Sequence, residues 1–193
     1  MTWKTCTLSL ILAVAWGCQQ HAAEVHEASP PSSSAAAPLG AGSTAAAPEL
    51  LPNQKTPLEG IISGGQPMPE QLRAARDAGY KTVINLRRPS ESGVGNEPEI
   101  VAGLGMEYLS IPIDDAAGLT KENTAAFTSA LESAEYPIVL HCSSGNRIGA
   151  LFALKAYWID GKNAEEALEI GLAAGLTRLE TAVEKILEGE SGT

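Results

Sequence analysis

Seven consecutive residues, His141-Cys142-Ser143-Ser144-Gly145-Asn146-Arg147, place a thiol, a glycine and a permanent cation within one short span. Each alone means little, because a lone cysteine is commonly a small core residue. Together they describe a site for attack on an oxyanion. A thiolate can displace a leaving group from an electrophilic centre, and a guanidinium fork suits two oxygens of a phosphate or sulfate. Gly145 permits tight curvature, and the hydroxyls of Ser143 and Ser144 can orient the loop. Cys142 is thus the candidate nucleophile and Arg147 the candidate anion clamp, with Ser143, Ser144, Gly145 and Asn146 as candidates for substrate binding.

The flanking elements give this span its chemistry. Pro137 to Cys142 (PIVLHC) is the strongest buried strand of the chain, and the apolar run 147–159 predicts a helix directly after it. A strand feeding a helix through so few residues directs backbone N–H groups into one concavity at the positive end of the helix dipole, which favours an anion or a thiolate.

The remaining pattern alternates in the same way. Ile61-Ile62-Ser63 predicts a first strand ended by Gly64-Gly65. Pro69 opens a helix to about Ala78, with Leu72, Ala75 and Ala78 inward and Gly79 as terminator. Lys81 to Leu86 (KTVINL) and Glu107 to Ile113 (EYLSIPI) are strand candidates. Asn96 with Glu99 predicts a capping box ahead of a helix burying Ile100, Val101 and Leu104, and Thr120 caps a helix with Thr124, Phe127, Leu131 and Ala134 on one face. Asn163 with Glu166 and Thr177 with Glu180 open two more helices. Strands alternating with helices, then a helical tail, predict a three-layer α/β domain with a mostly parallel central sheet. Ligands of such sheets gather beyond the carboxyl ends of the strands, at 87–91, 114–118 and 142–147. Arg87 is therefore a further anion-binding candidate. Asp114 and Asp115 are candidates for a general acid, with two solvated turn carboxylates as the plain alternative.

At this point the chain resembles the cysteine-dependent protein tyrosine and dual-specificity phosphatases, and more closely the phosphatase-like domain of bacterial beta-lactamase hydrolase-like proteins. The resemblance spans 60–156 and rests on Ile62-Ser63-Gly64-Gly65-Gln66-Pro67, Thr82-Val83-Ile84-Asn85-Leu86-Arg87 and His141 to Arg147. It implies a phosphatase-like fold and hydrolysis of a phosphate monoester through a cysteinyl phosphate. In these roles Cys142 attacks, Arg147 holds the equatorial oxygens, and Asp115 or Asp114 protonates the leaving oxygen. His141 would help to set the loop and the thiolate. Two departures stand out: four residues rather than five separate Cys142 from Arg147, and Ile148 replaces the hydroxyl residue that usually follows the arginine. Rhodanese sulfurtransferases often use the shorter spacing, so a persulfide on Cys142 and a non-catalytic oxyanion-binding domain remain alternatives.

The rest of the chain bounds the context. Lys4 and the apolar run Thr7 to Trp16 predict an export signal over 1–18, too short for a stable membrane span. Ala15-Trp16-Gly17-Cys18 resembles a bacterial lipobox, which implies acylation of Cys18 and membrane attachment through a lipid anchor facing the periplasm or cell exterior. Residues 19–58, rich in Ala, Pro and Ser, predict a flexible linker, and 59–190 the catalytic domain. Cys142 is then the only unmodified thiol of the mature chain, so no disulfide pairing is available to it. From Glu59 onward, 11 lysines and arginines face 20 aspartates and glutamates, which argues against nucleic acid as a partner. A small oxyanion-bearing or phosphorylated substrate fits a locally positive pocket. No cofactor is expected, and metal catalysis has little support because the domain contains one histidine, His141, with a carboxylate-only site as the alternative.

Overall fold

The computed structural model describes residues 49–191. Five short strands form one sheet: β1 (Lys55–Leu58), β2 (Ile61–Gly64), β3 (Thr82–Asn85), β4 (Glu107–Ser110) and β5 (Ile138–His141), in the order β1-β2-β5-β3-β4. Only β1 runs antiparallel to its neighbour. The three parallel strands β2, β5 and β3 are buried throughout, which is why they read as continuous apolar runs.

Alternation of side chains across the pleat divides the core in two. Ile61, Ile84, Ile138 and Leu140 face α3 (Lys121–Ser133) and α4 (Asn146–Trp158), meeting Phe127, Leu131, Ile148 and Leu151. Phe127 and Phe152 join those helices edge to face, with ring centres 5.3 Å apart. Ile62, Val83 and Val139 point the other way, to α1 (Pro69–Asp77) and α2 (Glu97–Gly103), against Leu72, Ala75 and Val101. Outside α4 lie α5 (Ala164–Ala173) and α6 (Glu180–Ser191), which bury Ala167, Val183 and Leu187 against it. This is the three-layer α/β arrangement with a helical C-terminal part.

Local signals match unevenly. Thr120 and Asn163 cap α3 and α5 through their side chains, accepting from the N–H of Asn123 and of Glu166. Asn96 makes no such side-chain bond, and its neighbour Glu97 is buried inside the domain. Thr177 commits its hydroxyl to Asn146, while its carbonyl accepts from Glu180 N–H at 3.0 Å. Ala78 is exposed, because α1 ends one residue before it.

The folded part also begins earlier than Glu59. Leu50 and Leu51 are buried among residues of β2 and α1, Gly65 N–H donates to the Pro52 carbonyl at 2.7 Å, and β1 adds an edge strand. Its sequence, Lys55-Thr56-Pro57-Leu58, lacks a buried face, and a proline is tolerated only on such an edge. The expected export signal, Cys18 and most of the linker lie outside the described residues. Among those described, no helix is long and apolar enough to cross a membrane.

Close backbone contact fixes the helical layer beside the sheet. A Cβ on Gly149 would lie 2.6 Å from Leu176 Cα and 2.7 Å from the Gly171 carbonyl oxygen, so α4 can approach α5 and its C-terminal turn only with hydrogen at that position. Ordinarily alanine outranks glycine in a helix by about 1 kcal/mol. Here the collision with backbone reverses the sign: Gly149→Ala should destabilise the domain by roughly 1 to 3 kcal/mol. Chemical denaturation will check this, and a stabilised variant would show that the helices do not approach so closely.

Candidate active site

The carboxyl ends of β2, β3 and β5 bring the loop 142–147 to the edge of the sheet. Cys142 directly follows β5 and is 1% exposed. Its Sγ accepts from Gly145 N–H at 3.1 Å. Gly145 has φ +94° and directly precedes α4, a left-handed conformation that costs glycine little. Cys142 thus sits beneath the amino end of α4, whose first N–H groups have no intrahelical acceptor. Ser143 is exposed and Ser144 half-buried along the rim.

Arg147 occupies the first turn of α4 and is 5% exposed. Its Nη1 and Nη2 each donate at 2.7 Å to one oxygen of Glu91, an end-on fork, and Nη1 also donates to the carbonyls of Ile113 at 3.0 Å and Leu86 at 3.2 Å. A guanidinium has five donors. The edge formed by Nε and the second Nη2 hydrogen is what remains for an anion, and Asp115 stands 3.6 Å from Nε. The fork holds the Glu91 carboxyl down at about 2, with Arg88 N–H and Arg87 assisting against partial burial. Glu91 in turn raises the pKa of Arg147, and Cys142 and Asp115 add to this by charge attraction.

The two aspartates separate clearly. Asp114 is bound to Arg88 Nη1 at 2.7 Å. Asp115 has φ +25°, is 67% exposed and leans toward Arg147. Arg87 lies buried behind the site: its Nε donates to Glu91 at 3.1 Å, Nη1 to Gln66 at 2.6 Å and Nη2 to the Ser92 carbonyl at 2.8 Å. All three nitrogens therefore serve protein acceptors. Asn146 turns its amide oxygen away from the loop, accepting from Thr177 N–H, Thr177 Oγ1 and Leu179 N–H at 2.9, 3.1 and 3.2 Å.

His141 lies fully buried with Nε2 2.7 Å from Glu97 Oε1. Gln66 joins Glu97 on one side and Arg87 on the other. One continuous chain, Arg147–Glu91–Arg87–Gln66–Glu97–His141, therefore ties the end of the loop to its beginning. Sequence reasoning missed Glu91 and Glu97 because both sit in polar stretches that read as solvated. The available hints for Glu91 were its place at the end of the strand-end span 87–91 and its spacing of four residues from Arg87. Among the described residues, no three His, Cys, Asp or Glu side chains gather where they could hold a metal ion.

The Glu91–Arg147 pair carries a pH dependence whose sign is fixed. A carboxyl that is near 4.5 when unfolded and about 2 when folded contributes stability that is full above 4.5 and lost as pH falls through 2. Glu91→Gln should destabilise the domain by roughly 3 kcal/mol at neutral pH, the usual loss when one member of a buried pair is removed. The variant should also lose less further stability between pH 4.5 and 2 than the wild type does. Denaturant unfolding across that window will measure both effects, and parallel pH curves would rule out the pairing.

Two clefts flank the loop. One, of about 250 Å³, runs between Asp115 and Ala116 on one wall and Arg178 and Leu179 on the other, over Asn146. The second, of about 480 Å³, includes Lys55, Ser144, Thr177 and Arg178. Cys142 lines neither cleft.

Comparison with known proteins agrees with this frame. A beta-lactamase hydrolase-like protein from Xylella fastidiosa is 30% identical over 122 residues, which cover 61% of this chain and 28% of the relative. The match thus spans about a quarter of that protein's length. A candidate phosphatase from Neisseria meningitidis superposes with a TM-score of 0.58 at 21% identity, covering 68% of this chain and 94% of its own. The core catalytic domain of a PP-IP phosphatase from S. cerevisiae gives 0.52 at 16% identity, with coverage of 70% and 83%. At these identities the structures establish the fold, that of the tyrosine and dual-specificity phosphatases. The family model for the phosphatase-like domain of beta-lactamase hydrolase-like proteins matches residues 60–157, half of the chain, and with the same α/β fold and the loop at 142–147, this chain belongs to that family.

Proposed function

We propose that the domain hydrolyses phosphate monoesters through a cysteinyl phosphate on Cys142. The observation that carries this reading is the open edge of Arg147: Glu91 takes the outer fork, leaving Nε and one Nη2 hydrogen beside the loop, with Asp115 facing that edge. In the first step the Cys142 thiolate attacks phosphorus, the ester P–O bond breaks, and Asp115 gives its proton to the departing oxygen. In the second, water attacks the phosphorus, Asp115 takes a proton back, and the thiolate leaves. Arg147 and the N–H groups at the head of α4 hold the oxygens in both steps. Cys142 is 1% exposed, so attack requires a path to the sulfur between Ser143 and Ser144 on the rim and the head of α4.

Asp115 rather than Asp114 takes the acid role, since Asp114 is engaged by Arg88. Asp115→Asn should lower kcat by about 10²-fold to 10⁴-fold, more for aryl phosphates with poor leaving groups, while Asp114→Asn should change it little. Cys142→Ser should abolish the covalent phosphoenzyme, read by acid trapping after a brief exposure to labelled substrate. Equal effects of the two aspartates would remove the assignment.

A second reading rests on the four-residue spacing and on Ile148, fully buried where a hydroxyl would assist departure of the thiol. In it the Cys142 thiolate attacks the outer sulfur of thiosulfate, the S–S bond breaks and sulfite leaves with the electron pair, so that no acid is needed. Thiosulfate leaving a transferable sulfur on Cys142, with neither aspartate affecting turnover, would establish this chemistry instead.

The proposed setting is the outer face of a membrane, reached through acylation of Cys18. Intact mass and N-terminal analysis of the membrane fraction should find an acylated Cys18 at the start of the mature chain. A mature chain that begins elsewhere and carries no lipid would contradict this location.

A further inference from the structure

Five of the six described arginines have a carboxylate partner: Arg73, Arg76, Arg87, Arg88 and Arg147. Arg178 has none among the described residues, although the domain carries an excess of acidic side chains. Its position is nonetheless closely held. The N–H groups on either side of it, at Thr177 and Leu179, both donate to Asn146 Oδ1, as does Thr177 Oγ1. Asn146 belongs to the catalytic loop, so the loop itself anchors the backbone around this exposed arginine. The same connection is braced by Leu176 against Gly149 and by Gly175 against the Gly145 backbone.

From that anchored position Arg178 lines both clefts beside the loop. It faces Asp115 across the smaller one and shares the larger with Lys55 and Ser144. Glu49 is the single carboxylate on the larger cleft. We propose that Arg178 is a specificity-determining residue that binds a second phosphoryl group of the substrate, so that the domain prefers small bisphosphorylated compounds to simple monoesters. An exposed guanidinium with a fixed base and no internal partner is suited to a dianion by charge and by its planar fork. Binding at Arg178 would set the first phosphoryl group over Cys142, which converts remote binding energy into orientation at the reacting centre.

The inference rests on the phosphatase reading, and two measurements separate their failures. The first compares kcat/KM for phenyl phosphate with that for 1,3-phenylene bisphosphate, which differ by one phosphoryl group on the same ring. The wild type should favour the bisphosphate by about tenfold or more, the margin expected from one hydrogen bond between charged groups. Arg178→Ala should bring that ratio close to unity, and Arg178→Lys should retain part of it. A ratio unchanged by Arg178→Ala, or one near unity in the wild type, overturns the proposal. The second measures binding of inorganic pyrophosphate and inorganic phosphate calorimetrically to the full chain. Tighter pyrophosphate binding that Arg178→Ala removes supports the subsite even where neither ester is hydrolysed, in which case the phosphatase reading alone has failed. Equal affinities for the two anions overturn the subsite. Thermal unfolding of both variants should match the wild type, because the bonds that hold this turn come from backbone groups and Thr177.

Discussion

Burying a guanidinium is costly unless charge and hydrogen bonds replace the lost water. Arg147 meets that requirement through Glu91 and the carbonyls of Leu86 and Ile113. Those carbonyls lie just past the ends of β3 and β4, while Arg147 itself opens α4. One side chain therefore joins the segments that converge at the edge of the sheet. With four residues between Cys142 and Arg147, the groups that hold the guanidinium all lie outside the loop. Two of its donors remain on the side where an oxyanion would approach.

The same logic extends inward. Glu91 is shared between Arg147 and Arg87, Arg87 reaches Gln66, and Gln66 meets Glu97, which holds His141 immediately before Cys142. A buried polar network rigidifies its surroundings when its members are satisfied and destabilises them when they are not. Here nearly every member has partners, with His141 Nδ1 as an exception. The consequence is a loop whose first and last residues are fixed to one framework, while Ser143 between them is exposed and Ser144 half-buried.

The helical tail contributes to the site as well as to the core. Gly149 and Gly171 allow backbone contact between α4 and α5, and Asn146 holds the turn that follows α5. That turn forms the wall opposite Asp115. Packing of the outermost layer thus decides the shape of the entrance to the loop, a link between tertiary contact and access that no part of the loop could provide alone.

How much was legible beforehand follows from the range of the interactions. Hydrophobic periodicity revealed the buried strands 61–63, 81–86 and 137–142, and local side-chain bonds made the caps at Thr120 and Asn163 readable, because these signals act over a few residues. The association of Cys142, Gly145 and Arg147 was equally local, and the resemblance added two further short motifs, 62–67 and 82–87. Edge strand β1 was hidden because its pairing draws on backbone groups and its residues bury no continuous face. Glu91 and Glu97 were hidden for a different reason: a carboxylate in a polar stretch reads as solvated until its cation or imidazole arrives from 56 or 44 residues away. Sequence alone determined most of the elements and the loop at 142–147, since period, capping and motif spacing are properties of neighbouring residues. Only the tertiary structure decided that Arg87 supports Glu91, that Asp115 rather than Asp114 approaches Arg147, and that Asn146 serves the turn at 177–179, since each depends on which distant donors and acceptors folding brings within hydrogen-bonding distance.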